Sequence, residues 1–465
     1  MAASVSSMVI NPELNNNQEK ETALLTRPVK GFKEKEFVVR ESLLTTILRN
    51  GEGRIVYNFL CAVFALFLLR ALFDDIFTHG VPLHHTWLIW WNFQYFPQTM
   101  VVWSMMFAST FLPYGAMKIW AHAPTKRVDG MSTFPLLISY LAYLAAFFYY
   151  PLRFLFSWQL NCACSFIITC ESTRLAMKVH SFIRENYSRA VQKKLKGEGA
   201  EKTDDWPSIE QFVYFMFCPS FIYRDVYPRC ESRCWKTVGF YFFECFAIIE
   251  FVNLVFTQYV FPWLSILEYN QLSTTATVLS LFAAIVPGIL CLLCLFFGLL
   301  HCWLNAFSEI MRFADRQFYM NWWFSDNMAE YYRNWNLVVH DWLYAYVYRD
   351  VGKTIGGRKG LRIAQTCVFF LSAVFHEYWF GIAFRVFYPV MFLLYFVFGG
   401  IFFFVSRFIR NKAAWNVALW FNLLIGTGMF VAFYGQEWYA RTRCAPYANS
   451  VADFLLPRHW TCKSL

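Results

Sequence analysis

The sequence predicts an all-α chain that crosses a membrane about nine times, and three observations predict it. Of 465 residues, 58% are hydrophobic and 15% charged, whereas about a quarter of a soluble protein is charged. The chain holds 53 Phe, 19 Trp and 26 Tyr, a ring density suited to lipid-facing helices with aromatic belts. Apolar runs long enough to cross a bilayer alternate with loops in which Lys and Arg are either concentrated or missing. The net charge of +10 is therefore a clue to topology. No basic helix, finger or stacking motif accompanies it, so no nucleic-acid partner is expected.

Residues 1–52 are polar and include NNNQ at 15–18. They read as a flexible cytosolic N-terminal arm, with no apolar stretch of the kind a cleaved signal peptide needs. Residues 53–465 form the membrane-embedded domain. Spans are expected at about 55–73, 93–112, 135–152, 159–177, 238–259 and 276–300, then through His376, and at about 389–405 and 416–433. His84 and His85 are adjacent in the first loop, but no third ligand has suitable spacing, so a loop rather than a metal site is expected. Glu171 and Arg174 lie three apart on the fourth span and can pair on one helix face. Ser208 and Gln211 fit a capping box at the start of a short aromatic helix, 211–217, too short to span and suited to the interface. Most cysteines, such as Cys61, Cys170, Cys291 and Cys294, sit in apolar stretches and read as small buried thiols.

Lys and Arg fall at 118–127, 184–202, 349–362 and 407–412, all on one side of a nine-span map, while the loops at 74–92 and 260–275 hold none. The positive-inside rule puts the basic side and the N-terminus in the cytosol. The tail beyond residue 435 is then lumenal or extracellular, where disulfides persist, and it contains Cys444 and Cys462. A Cys444–Cys462 bridge is expected. The sequon Asn186-Tyr187-Ser188 falls on the cytosolic side, so no glycan is expected there.

The chemistry centres on FFLSAVFHEYWFGIAF, 369–384, with His376 and Glu377 near its middle. An ionisable group at membrane depth costs about 3 kcal/mol or more, so it requires a partner or a task. Imidazole exchanges a proton near neutral pH. Glu377 lies about 100° round an ideal helix from its neighbour and takes a structural role. Upstream, Asn327 with Glu330 can start a helix on which Tyr332, Asn336, His340 and Tyr344 recur every four positions as one polar, aromatic ridge bordered by Arg333. By spacing alone, this ridge fits an anionic nucleotide-bearing ligand and an interfacial helix anchored by its rings equally well.

FYMNWWF at 318–324, YYRNWNLVVHDWLY at 331–344 and SAVFHEY at 372–378 resemble the sterol O-acyltransferases of the membrane-bound O-acyltransferase superfamily. The resemblance extends over roughly residues 55–465 through ESTRLAMKVHSFIREN from Glu171, PSFIYRDVYPR from Pro219, MRFADRQFY from Met311, QEWYARTRC from Gln436 and PRHWTC from Pro457. It implies a multi-pass enzyme of the endoplasmic reticulum membrane that moves a long-chain fatty acyl group from acyl-CoA to a sterol hydroxyl. It also implies a homodimer or homotetramer. His376 and Asn336 take the catalytic positions, and Arg333, Asn336, His340, Tyr348 and Ser372 the acyl-CoA contacts. Acyl-CoA is a substrate, and no cofactor or metal is implied. The chain departs from the family pattern at Asn321 and Phe324, where FYxDWWN is usual. It departs again at Leu361, where a lysine is usual, and at Asn58, where a histidine can stand. Two rivals follow: another lipid alcohol such as diacylglycerol as acceptor, and a transporter or channel using Glu171, Arg174, His376 and Glu377 as a buried path.

Overall fold

The computed structural model describes residues 32–49, 51–123, 125, 128, 130–196, 206–266, 274–448, 450–460 and 462. Among them every regular element is helical. The principal helices are α1 (Gly51–His79), α2 (Phe96–Ser109), α3 (Phe111–His122), α4 (Gly130–Ser157), α5 (Cys162–Lys196), α6 (Ile209–Phe217), α7 (Trp235–Val255), α8 (Thr274–Leu295), α9 (Met328–Trp335), α10 (Leu337–Leu343), α11 (Gly357–Phe384) and α12 (Lys412–Arg443). Eight helical stretches among the described residues are long and apolar enough to cross a membrane. They match the expected spans one for one except the fourth, at 159–177, which lies on α5.

That helix is too polar to count with the others, because it is the inner post of the fold. It packs against α2, α3 and α4 on one side and α11 on another. Its buried charges are paired or hydrogen-bonded in place. Glu171 accepts from Arg174 at 2.6 and 2.9 Å and from Trp103 Nε1 at 2.6 Å, and Arg174 also donates to the Met216 carbonyl. The Lys178 ammonium, 1% exposed, donates to the carbonyls of Phe215 and Cys218 at 2.5 and 2.7 Å. The expected Glu171–Arg174 pair thus forms. Together with Lys178 it fixes α6, whose capping box of Ser208 and Gln211 forms with both reciprocal bonds. A transport path through Glu171 and Arg174 has no support here, since each is satisfied by the other.

By contrast, α1 buries only Ala71 and Asp75 and turns Phe59, Leu60, Leu66, Phe73 and Phe77 outward, as a lipid-facing helix does. Cys61, expected as a buried thiol, lies on that exposed face. Helices α8 and α12 cross closely, because a side chain on Gly288 would meet the Thr427 carbonyl at 2.5 Å and one on Gly428 would meet Ile285 at 2.9 Å.

The arm departs from expectation. Residues 32–49 are docked and do not trail. Arg40 pairs with Asp315 at 2.5 Å, buried Ser42 bonds Tyr319 at 2.8 Å, and Leu43–Arg49 is helical. The polar composition that suggested a tether supplies partners for the loop around residue 315. Residues 1–31 lie outside the described part.

Cys444 and Cys462 are joined as the topology expects. Arg441 and His459 both bond Glu437, at 2.7 and 2.8 Å, and Arg458 pairs with Asp453, folding the tail back on the end of α12. A bridge closing a loop of this size stabilises by about 3 kcal/mol through the unfolded chain. Cys462→Ser should lower the thermal midpoint of the purified protein, and unreduced peptide mapping of the wild type should recover the linked pair.

Candidate active site

One turn of α5 anchors both segments that carry the expected site. The Trp379 indole on α11 donates to Thr173 Oγ1 at 3.0 Å, and the Trp342 indole on α10 donates to the Met177 carbonyl at 2.9 Å. Neighbouring bonds run from Tyr378 to Ser172 and from Tyr346 to Glu185. His376 stands three residues before Trp379, with its ring 4.8 Å from that indole and stacked 4.3 Å from Tyr395. Its Nδ1 lies 2.7 Å from the Ser372 carbonyl. A carbonyl only accepts, so Nδ1 carries the hydrogen and Nε2 is left as the lone-pair nitrogen. Ser372 therefore orients the imidazole through its backbone. Glu377 turns away, as expected, and accepts from Tyr434 at 2.9 Å and from the Phe392 amide at 3.1 Å. With Glu377 held in this bond, the transport path loses another of its groups.

The single ridge expected from Tyr332 to Tyr344 is corrected. Asn336 is extended, with φ −145° and ψ 93°, ending α9 and capping α10 by accepting the Val339 amide on Oδ1 at 3.1 Å. Asparagine competes with helix in this way by bonding its own backbone downstream. The break is held from outside. Met320 N–H donates to the Asn334 carbonyl and Leu337 N–H to the Phe318 carbonyl, both at 2.8 Å, stitching the FYMNWWF segment to the Asn336 segment. The cap consumes the amide oxygen of Asn336 and leaves Nδ2 as its donor end.

Tyr332 is thereby separated from the rest of the ridge and packs edge-on against Phe369 of α11 at 4.9 Å. His340, Tyr344 and Tyr348 remain together as a stack with centroid spacings of 6.2 and 5.7 Å. Arg333 is exposed. The docked arm reaches this stack: Phe32 packs against Tyr344 and Tyr348, and Lys35 pairs with Asp341 at 2.9 Å. Burial alone would push the Asp341 carboxyl up, but the His340 hydrogen bond and the Lys35 charge outweigh it and hold the group below its ordinary value.

Tyr395, Trp379 and Trp342 are not singled out by the sequence. Tyr395 lies in a widened helical turn, Leu393–Phe398, and Tyr348 ends another, Tyr344–Tyr348. Such bulges gather at functional sites but leave no periodic trace in sequence. The departures at Asn321, Phe324 and Asn58 all fall on exposed positions, outside this packed site.

His376 thus keeps a lone-pair nitrogen within an apolar helix, and Asn336 starts α10 with its amide oxygen as cap, both segments being tied to α5. The chain belongs to the membrane-bound O-acyltransferase family, whose model matches residues 86–436. Within that family it is 37% identical to sterol O-acyltransferase 1 of Mus musculus over 92% of this chain and 79% of that protein. It is 37% identical to sterol O-acyltransferase 2 of Homo sapiens over 92% of this chain and 81% of that protein.

The two ends of the Asn336 amide can be separated. Asn336→Asp keeps a capping oxygen and removes the donor, whereas Asn336→Ala removes both. Alanine should cost about 1 kcal/mol of stability through the lost cap, with aspartate close to wild type in thermal melts. Both should lower turnover by about 100-fold or more if the donor faces developing negative charge.

Proposed function

We propose that the protein is an acyl-CoA-dependent sterol O-acyltransferase, forming steryl esters such as cholesteryl esters from a long-chain acyl-CoA. Its relatives bear that name over most of the chain. The observation that carries the mechanism is the His376 Nδ1 bond to the Ser372 carbonyl at 2.7 Å, because it leaves Nε2 free to accept a proton. An alcohol is a weak nucleophile at neutral pH, and a positioned base typically contributes 10²–10⁴-fold. Nε2 takes the hydroxyl proton as the sterol oxygen bonds the thioester carbon. The carbon–sulfur bond then breaks, and the same nitrogen returns the proton to the departing thiolate. Nδ2 of Asn336 donates to the carbonyl oxygen as charge gathers there, a role worth about 3 kcal/mol. Arg333, His340, Tyr348 and Ser372 bind acyl-CoA, with the guanidinium toward phosphate and the ring stack along the nucleotide. Acyl-CoA is consumed as a substrate, and the reading includes no resident cofactor.

The same reading includes an endoplasmic reticulum membrane, a cytosolic N-terminus, a lumenal C-terminus and a homodimer or homotetramer. Support for the orientation comes from the basic loops and from the Cys444–Cys462 bond, which needs an oxidising compartment.

The test is ester formation by purified protein given labelled oleoyl-CoA with cholesterol, other sterols or diacylglycerol. Wild type should esterify sterol, and His376→Ala should lose ester formation by at least about 100-fold with expression and thermal midpoint retained. Equal or exclusive use of diacylglycerol would reject the sterol assignment. Undiminished activity in His376→Ala would reject the base.

A further inference from the structure

The loop expected to lack a third ligand brings three possible ligand side chains together. Asp75 and His79 stand four residues apart on the last turns of α1, hence on one face. The chain then turns through Gly80 and Leu83, both with positive φ, and returns His84 to that face. The His79 and His84 rings stack with centroids 3.8 Å apart, and one ligand atom from each of Asp75, His79 and His84 lies within 4.8 Å of the others. Among the described residues neither the His79 nor the His84 imidazole has a hydrogen-bond partner, and both residues are exposed. Two imidazoles are thus brought face to face beside a carboxylate without a bond that explains the approach.

The carboxylate is built in. Asp75 is 3% exposed, and its Oδ2 accepts from the His85 amide at 3.0 Å and lies 2.5 Å from His85 Nδ1. His85 is in turn fixed by Glu250 at its Nε2, 2.9 Å away, and by Asn253, which donates to its carbonyl at 3.1 Å. This network occupies Oδ2 and leaves Oδ1 as the oxygen available to the two rings. A ligating carboxylate held by a buried histidine, itself held by a second acid, is the outer support that metal sites need.

We propose that Asp75, His79 and His84 bind a divalent transition-metal ion of the zinc class, with water at the remaining position. Two nitrogen ligands and one oxygen favour zinc over calcium or magnesium, which take all-oxygen sets. Tetrahedral bonds of about 2.1 Å need ligand atoms about 3.4 Å apart. The rings must close by about an ångström, which rotation of two exposed side chains supplies. The 29 residues of α1 put this site about 40 Å along the helix from the end next to the docked arm. It is separate from the transfer chemistry, and it would clip the 80–86 loop to the helix end.

The experiment uses full-length protein in detergent, treated with chelator and then titrated with zinc chloride. Stoichiometry is read by calorimetry and elemental analysis, and geometry by the visible spectrum of the cobalt-substituted protein. Wild type should bind one zinc per chain with affinity below about 100 μM and gain thermal midpoint with added metal. His79→Ala and His84→Ala should each lose at least tenfold in affinity, while His122→Ala should leave it unchanged. Asp75→Asn also disturbs the His85 network, so the two exposed histidines carry the decision, with undiminished acyl transfer as the check on folding. Equal binding by wild type and the His79→Ala/His84→Ala double variant would overturn the proposal, as would no binding up to about 100 μM.

Discussion

Everything in the site depends on two indole hydrogen bonds to a single turn of α5. Thr173 holds Trp379, and Met177 holds Trp342, so the helix carrying His376 and the segment carrying Asn336 are referenced to the same rigid element. Each bond is worth only about 1 kcal/mol net. Their importance is geometric, because transfer chemistry is sensitive to misplacements of about 1 Å. That requirement explains why α5 carries Glu171, Arg174 and Lys178 where an apolar helix would serve a bilayer better. The charges tie the post to α2 and α6, so that the reference does not shift.

Much of the fold was legible because membrane helices announce themselves by length and apolarity, which tertiary packing does not override. Eight of the nine expected spans have that signature. The ninth is an inner helix shielded by its neighbours, for which hydropathy alone is a poor guide. His376 was legible for the opposite reason, as an ionisable group out of place in an apolar run. The Asn336 segment was legible only in part. Four-residue spacing assumes an unbroken helix, and the break is imposed by bonds to residues 318 and 320 that no local pattern encodes. The same blindness to long-range partners concealed the docking of residues 32–49 on Asp315, Tyr319 and Asp341. At the far end of α1, the Asp75, His79 and His84 spacing was present in the sequence. It became meaningful only once two left-handed residues turned the chain back.

The division of polar and apolar surface follows the two substrates of the reaction. Rings gather where His340, Tyr344 and Tyr348 stack against Phe32 of the docked arm, the surface to which the proposed mechanism brings the nucleotide. Helix α11 then runs from this surface into apolar surroundings, with the imidazole about two turns beyond Phe369. On the proposed mechanism a thioester carbon and a lipid-borne hydroxyl meet at the boundary between the two environments.

The cap at Asn336 also bears on which sequences can drift there. Starting α10 calls for a short side chain with an acceptor oxygen, which aspartate, serine and threonine offer equally well. Steadying a nascent oxyanion calls for an uncharged N–H donor, which glutamine offers too, on a stem too long to cap. Asparagine alone answers to both demands. On the proposed mechanism one amide serves both local folding and turnover, and substitution at this position would have almost nowhere to go.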